Sequence, residues 1–404
     1  MKMRVWKVAA AVLAAGVLNG AELPTLPEPC VPDAASFRER PMAERALKEL
    51  RSRRERLLRQ APISVTFDKR LPSPDGDPRD FTSCGPYWWP DPQRPDGLPY
   101  IRRDGEFNPD FKYYDQSKVG SVSSWVTTGA LLWKIDRDEA AAAKAVELLR
   151  VFFVDDATRM NPHMKYAQGV PGHSKGRTEG IIDTLGLADL VNMLVLLDDA
   201  PAMTPEVREG LRKWFREYAA WLSSDPMALR DYGKEQNHGL SYHVQLIAYA
   251  RYCGDEAAAR KNLEMMRSLV VKAVDKQGFL PAEVVRTRSW HYSAYALRMV
   301  MRAVGAGRAM GVDLLDPATE SGRAIRRGVE KMMSYQLDPE LKWPYPLLKG
   351  KRELGDFGSV VIQYGAYTGS PEAMKLLPQL ESKIGYVDRL CFAPAEAEST
   401  KSAK

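Results

Sequence analysis

The chain has five histidines, and two of them fall in one short segment, Gln236-Asn237-His238-Gly239-Leu240-Ser241-Tyr242-His243-Val244-Gln245. On a helix, His238, Tyr242 and Gln245 follow i, i+4, i+7 and share a face, while Leu240, Val244 and Ile247 form the apolar face. Solvent-facing stripes usually consist of Lys and Glu. This one is built of imidazole, phenol and amide, which reads as a surface that binds or moves protons. His243 lies off the stripe and reads as structural. The two histidines are five apart and no HExxH occurs, so zinc is not expected. A second cluster runs Glu283-Val284-Val285-Arg286-Thr287-Arg288-Ser289-Trp290-His291-Tyr292-Ser293-Ala294-Tyr295. It sets two arginines before a helix, the unfavourable end for cations, with Arg288, Tyr292 and Tyr295 on one face. Such a pair implies an anionic partner, either a bound carboxylate, which the guanidinium fork grips bidentately, or local Glu283.

Two further stretches are polar or aromatic in the same way. Pro162-His163-Met164-Lys165-Tyr166-Ala167-Gln168 continues to Gly176-Arg177-Thr178-Glu179 and makes Tyr166, Gln168 and Arg177 candidates for substrate contact. The indoles of Trp88 and Trp89 match the apolar faces of sugar rings, or else plug a loop. They sit within residues 81–114, a stretch whose prolines forbid long helices and central strands. A loop of that length is usually functional.

The elements that must position these groups are helices. Apolar periodicity predicts them over 42–60, 121–135, 139–154, 179–197, 205–222, 237–252, 256–274, 290–310 and 323–336, with one or two more after Asp356. The strongest case is 205–222, where Thr204 caps, Pro205 fits the first turn, and Val207, Leu211, Trp214, Tyr218 and Leu222 recur on one face. No comparable set of alternating strands exists. Successive helical hairpins closing around a central cleft predict a mostly α fold. The expected form is an α/α toroid, an incomplete barrel of about six or seven hairpins in one domain. An open solenoid would show a sequence repeat, and none is visible.

Taken together, NHGxxYxxQ, RTRSWHYSxxAL, PHxxYAQ…GR and GPYWWPDP…GLPYIRRDG resemble the alginate lyase superfamily of helical-toroid polysaccharide lyases. The resemblance covers roughly Phe81 to Leu297. Two positions depart from the common pattern: Gln236 stands where relatives often have a second Asn, and Ser241 where many have Trp. The resemblance implies β-elimination of a 1,4-linked uronate polymer, most simply alginate with mannuronate preferred, and no cofactor. A β-1,4-glucuronan is the alternative substrate. In such a reaction the proton on C5 becomes acidic when the neighbouring carboxylate is neutralised, the role expected of Asn237 and Arg286 with His238 beside them. Tyr292 is expected to act as base and acid when proton and leaving oxygen share a face. His238 is the base when they do not. A phenol is a poor base near neutrality, so Arg288 and a histidine are expected to lower the Tyr292 pKa. Arg288, Tyr242, Gln245, Tyr166, Gln168, Arg177, Trp88 and Trp89 are the expected substrate contacts.

Composition fits this reading. The 404 residues are 45% hydrophobic and 27% charged, and 58 Lys+Arg against 52 Asp+Glu give a net charge of +6. That excess is too scattered for a nucleic-acid protein, so the expected partner is an anionic polysaccharide. Lys2, Arg4 and Lys7 before the apolar run Val8–Leu18 predict a signal peptide over 1–21 and a periplasmic or secreted protein with no membrane attachment after cleavage. Residues 22–80 are then a leader and first helix, 81–392 the toroid, and 393–404 a disordered tail. The four cysteines, Cys30, Cys84, Cys253 and Cys391, form no metal or CxxC pattern. Two rival functions remain: a glycoside hydrolase, which needs paired carboxylates drawn from Glu179, Asp183, Asp231 and Glu283, and a non-catalytic polysaccharide-binding protein.

Overall fold

A computed structural model describes residue 37 and residues 39–395; the expected signal peptide, most of the tail and Cys30 lie outside the described residues. Fourteen helices follow one another: α1 Pro41–Ser52, α2 Arg54–Leu58, α3 Asp115–Asp136, α4 Glu139–Leu149, α5 Leu185–Leu194, α6 Pro205–Ser224 and α7 Asn237–Tyr252. The second half adds α8 Glu256–Ala273, α9 Pro281–Val284, α10 Ser289–Ala309, α11 Glu320–Leu337, α12 Gly355–Thr368, α13 Pro371–Leu380 and α14 Tyr386–Phe392. Helices α3, α5, α7, α10 and α12 pack side by side as an inner ring, backed by α4, α6, α8, α11 and α13. Helix α14 against α1 fills the gap between α12 and α3. The architecture is the expected α/α toroid.

Local sequence explains where the helices begin. Thr204 accepts a hydrogen bond from the Val207 amide at 3.3 Å, Pro205 follows, and Val207, Leu211, Trp214, Tyr218 and Leu222 are all buried. There Trp214 meets Phe153, Phe215 and Tyr218 at ring separations of 4.8–5.3 Å and donates its indole N–H to the Met160 carbonyl. Helix α3 starts six residues earlier than periodicity predicts, because Asp115 is buried between Lys69 at 2.6 Å and Lys118 at 3.0 Å. The expected helix 42–60 is broken at Arg53, and the expected helix 179–197 opens as a 3₁₀ turn, Thr178–Thr184. The stretch Thr178–Leu197 has a mean hydropathy of 1.8, long and apolar enough by composition to cross a membrane, but 67% of its central window is buried inside the ring. It is a core helix, a stretch that apolar composition alone cannot tell from a membrane span.

The aromatic segment 81–114 is irregular, as its prolines require. Strand β1, Thr82–Cys84, pairs in parallel with β4, Tyr166–Gly169, while β2, Trp88–Trp89, pairs antiparallel with β3, Ile101–Arg102. These short pairings hold the loop against the end of the ring where α5, α7, α10 and α12 begin. Cys84 and Cys253 carry free thiols.

The start of α7 is fixed by its neighbours. Gln236 accepts from the His238 amide at 2.9 Å, capping the helix. Glu283 of α9 accepts from the Asn237 backbone at 2.7 Å and from its side-chain amide at 2.9 and 3.1 Å. Gly239 then passes so close to the preceding turn that a Cβ would lie 1.9 Å from the Lys234 carbonyl oxygen. Gly239→Ala is therefore expected to push α7 off its seat, costing about 1–3 kcal/mol in thermal or denaturant unfolding and lowering turnover through the displaced His238.

Candidate active site

Tyr292 lies in the first turn of α10, 7% exposed, and its ring is covered by the Arg286 guanidinium 4.0 Å from the centroid. The phenol oxygen accepts from Arg286 Nη2 at 2.9 Å and donates to Tyr87 Oη at 2.6 Å. Arg286 itself is forked between that phenol and the carboxylate of Asp104, with Nη2 at 2.8 Å from Oδ1. Thr287 adds a hydroxyl to the same carboxylate at 2.9 Å. Residues 81–114 thus place Tyr87 and Asp104 against the first turn of α10.

The protonation states follow from burial and these partners. Burial pushes the Tyr292 pKa well above its usual value, and the adjoining Tyr87 phenol adds to the shift; the Arg286 charge opposes both without reversing them. The expected lowering by Arg288 does not occur, because Arg288 is engaged elsewhere: it forms a two-pronged pair with Glu353 and lies 5.3 Å from the Phe107 ring centroid. Tyr292 is a protonated, donor-competent phenol. Arg286 keeps its charge: burial opposes it, but Asp104 and the nearby phenols outweigh burial and raise the pKa above the ordinary value.

His238, in the first turn of α7, is pushed down to about 4, first by burial and then by the Lys234 cation, with Arg286 and Arg177 adding and Glu179 opposing. Its Nδ1 is buried without a hydrogen-bond partner. Helices α7 and α10 pack against each other and start at the same end, and Arg286 acts electrostatically on both His238 and Tyr292. A neutral imidazole and a protonated phenol therefore border one cation.

Opposite them, Arg177 donates from Nε to the Gln168 carbonyl at 2.9 Å and from Nη2 to Gln168 Oε1 at 3.1 Å, and its guanidinium lies 5.8 Å from the Trp88 ring centroid. Gln168 passes its amide N–H to Asp183, whose other oxygen accepts from Ser83 at 2.8 Å. Burial raises Asp183 to about 6. Gln168 has φ of 45°, a left-handed conformation held by this network. Trp89 packs under Arg103 and donates to the Glu106 carbonyl, and Tyr166 bonds Asp75. Trp89 is thus tied within the loop, and Tyr166 to the segment that precedes it.

The polar stripe of α7 is not a binding face. Tyr242 is 1% exposed and donates to the Leu222 carbonyl at 2.8 Å. Gln245 is fully buried and bonds Thr184 and the Ile181 carbonyl. Both expected substrate contacts are internal ties of α7, to α6 and to the 3₁₀ turn before α5; only His238 of that stripe stands beside Arg286, because it sits in the first turn. His243 is held by Asn262 at 2.8 Å and by the Tyr232 carbonyl at 2.7 Å, a structural role as expected. Asn237 spends both side-chain N–H groups on Glu283, so Glu283 binds this asparagine and not the neighbouring arginines. Sequence reasoning missed Asp104, Glu353 and Lys234 as partners. Asp104 and Tyr87 do lie within the aromatic loop motif, but nothing local to them signals contact with residues almost 200 positions away.

Three of the four candidate carboxylates are held by close partners, and the fourth, Glu179, lies 3.8 Å from Arg177 and 3.9 Å from Lys234. Glu283 is clamped by Asn237, Asp183 by Gln168 and Ser83, and Asp231 lies 2.7 Å from Lys234. Helix starts that gather arginines, a neutral imidazole and a phenol under an aromatic loop define a polysaccharide lyase rather than a hydrolase. The family model for alginate lyase matches residues 64–342, and the chain belongs to that family. An alginate lyase structure from Bacteroides ovatus is 31% identical, with a TM-score of 0.82 over 90% of this chain and 96% of that one. Alginate lyase A1-III from Sphingomonas species A1 shares the fold at 16% identity, with a TM-score of 0.55 over 87% of this chain and 92% of that one. A histidine variant of A1-III complexed with a tetrasaccharide gives a TM-score of 0.57. No curated sequence relative matches the chain.

The depressed His238 pKa has two consequences. The imidazole is neutral across neutral pH, so the acid limb of kcat is expected near pH 4 rather than near 6.5. Because the folded state resists protonation more than the unfolded one, His238 contributes stability in full above about 6.5 that is lost as pH falls toward 4. The stability difference between wild type and His238→Gln, read from unfolding curves between pH 4 and 7, is expected to stay constant above that window and to change on acidification, the wild type losing stability that the variant keeps.

Proposed function

We propose that the chain cleaves alginate by β-elimination, leaving an unsaturated uronate at each new non-reducing end. The observation that supports this reading is the Arg286 fork, which already holds a carboxylate oxygen at 2.8 Å and the Tyr292 phenol at 2.9 Å. A substrate uronate entering the cleft takes the place of the Asp104 carboxylate on Arg286. Its negative charge is then neutralised where the enolate-like charge develops. Removal of the C5 proton forms the C4–C5 double bond, the C4–O4 bond breaks, and O4 leaves with a proton from the acid. Trp88, stacked by Arg177, offers an aromatic face to a neighbouring sugar.

Family resemblance favours mannuronate, for which Tyr292 takes the C5 proton and returns it to O4 on the same face. That route requires the phenol to ionise as substrate binds. A second reading, with His238 as base and Tyr292 as acid on opposite faces, is favoured by the neutral imidazole and the protonated phenol. We further propose that the chain works outside the cytoplasm, on the evidence of the charged and apolar sequence over residues 2–18; N-terminal sequencing of the exported protein is expected to read from Glu22, and an intact Met1 would end that proposal.

Cleavage is followed by ultraviolet absorbance of the conjugated product on polymannuronate, polyguluronate, glucuronan and hyaluronan. Tyr292→Phe is expected to lose about 10²–10⁴-fold in kcat while still binding polymer, and Arg286→Ala is expected to fail mainly in kcat. Chain shortening without new absorbance would mean hydrolysis and would sink the lyase mechanism. Activity on polyguluronate alone would select the His238 route.

A further inference from the structure

A second cavity, of about 670 Å³, lies on the ring axis between α3, α5, α10, α12 and α14. Arg251 closes α7 thirteen residues after His238, and Arg302 follows Tyr292 by ten on α10. At 1.5 Å per residue these are separations of roughly 15–20 Å along the helices, so these two arginines stand well apart from the catalytic groups.

Its polar lining is unbalanced. Arg302 gives Nε and Nη2 to Asp189 at 2.7 and 2.6 Å, yet its buried Nη1 has no partner. The Ser123 hydroxyl is buried and likewise unmatched. Arg298 is paired with Asp356 at 2.8 Å, whereas the Arg251 guanidinium makes no hydrogen bond or ion pair with any described residue. Burial alone acts on the Arg251 pKa, pushing it down with no carboxylate to offset it. A sequestered cation without a counter-ion is destabilising, and an uncommitted guanidinium presents a planar fork matched to a carboxylate. The remaining wall includes Met193, Met301, Tyr367 and Phe392, apolar and aromatic surface suited to the body of a ring-sized ligand.

We propose that this cavity is a binding site for a small organic carboxylate, with Arg251 receiving the carboxylate and Arg302 Nη1 and Ser123 Oγ supplying further hydrogen bonds. A uronate of one or two sugar units is the ligand it takes. That identity rests on the lyase reading; the carboxylate site does not. Uronides released at the cleft are the natural source, which makes this a product-sensing site apart from the catalytic groups.

The test titrates the full-length protein calorimetrically with D-glucuronate, which has no glycosidic bond to cleave, and with succinate and D-glucose. Glucuronate binding is expected to survive in Arg286→Ala, to weaken at least about tenfold in Arg251→Gln, and to be retained in part by Arg251→Lys; glucose is expected not to bind. Arg251→Gln is expected to cleave polymer within about twofold of wild type and, without ligand, to melt no lower, since an unpaired cation has been removed. Arg251-dependent binding of succinate as tight as that of glucuronate would keep the carboxylate site and remove the uronate assignment. Binding indifferent to Arg251→Gln, binding lost completely in Arg286→Ala, or a lowered melting temperature of Arg251→Gln would each overturn the proposal. Polymer cleavage in the same preparations tests the lyase reading separately.

Discussion

The structure turns on one guanidinium that must remain charged while largely enclosed. Arg286 manages this because Asp104 and the phenols of Tyr292 and Tyr87 stand around it, and their combined effect exceeds the desolvation cost. The rest of the cleft end can be understood as what is needed to bring those partners together. Helix α10 must start directly after Arg288 so that Tyr292 turns back under Arg286. The loop over 81–114 must reach the same point from the other side of the molecule. Asp104 is depressed in pKa and Arg286 raised, and in both the contact between them outweighs the burial that opposes the charged form.

The same enclosure sets the two proton carriers apart. Removing water penalises the charged form of each, which lowers an imidazole and raises a phenol. His238 and Tyr292 therefore separate into acceptor and donor, burial being the first cause in each and the Tyr87 phenol reinforcing it for Tyr292. Glu283 and Gln236 serve this indirectly, one clamping Asn237 and the other capping the turn that carries His238. Gln236, which departs from the common family pattern, is thus a working helix cap.

Much of the fold was legible because its signals are local. The cap, first-turn proline and apolar face of 205–222 mark α6 within two residues of its end, and Asn237–Tyr252 is a helix over the predicted span. The helix starts carrying His238 and Tyr292 were legible for the same reason. What sequence could not supply was the environment of each polar group. The stripe His238, Tyr242, Gln245 is real as a helical face, but burial along it varies with depth in the ring, so its first member stands beside Arg286 and the next two tie helices together. Ion pairing was equally out of reach. Arg288 pairs with Glu353 rather than with anything nearby, and the Tyr292 phenol consequently lacks the cation that sequence proximity promised.

The Asp104 carboxylate also sets a limit on affinity. If an incoming sugar acid replaces it on Arg286, one ion pair is traded for another of the same kind, an exchange whose electrostatic gain is close to nil. A single residue of polymer then holds on weakly at the bond to be broken, and grip must accumulate from several sugars bound side by side. Tightness would grow with chain length, while the reacting unit itself stays loosely held and free to leave once cut.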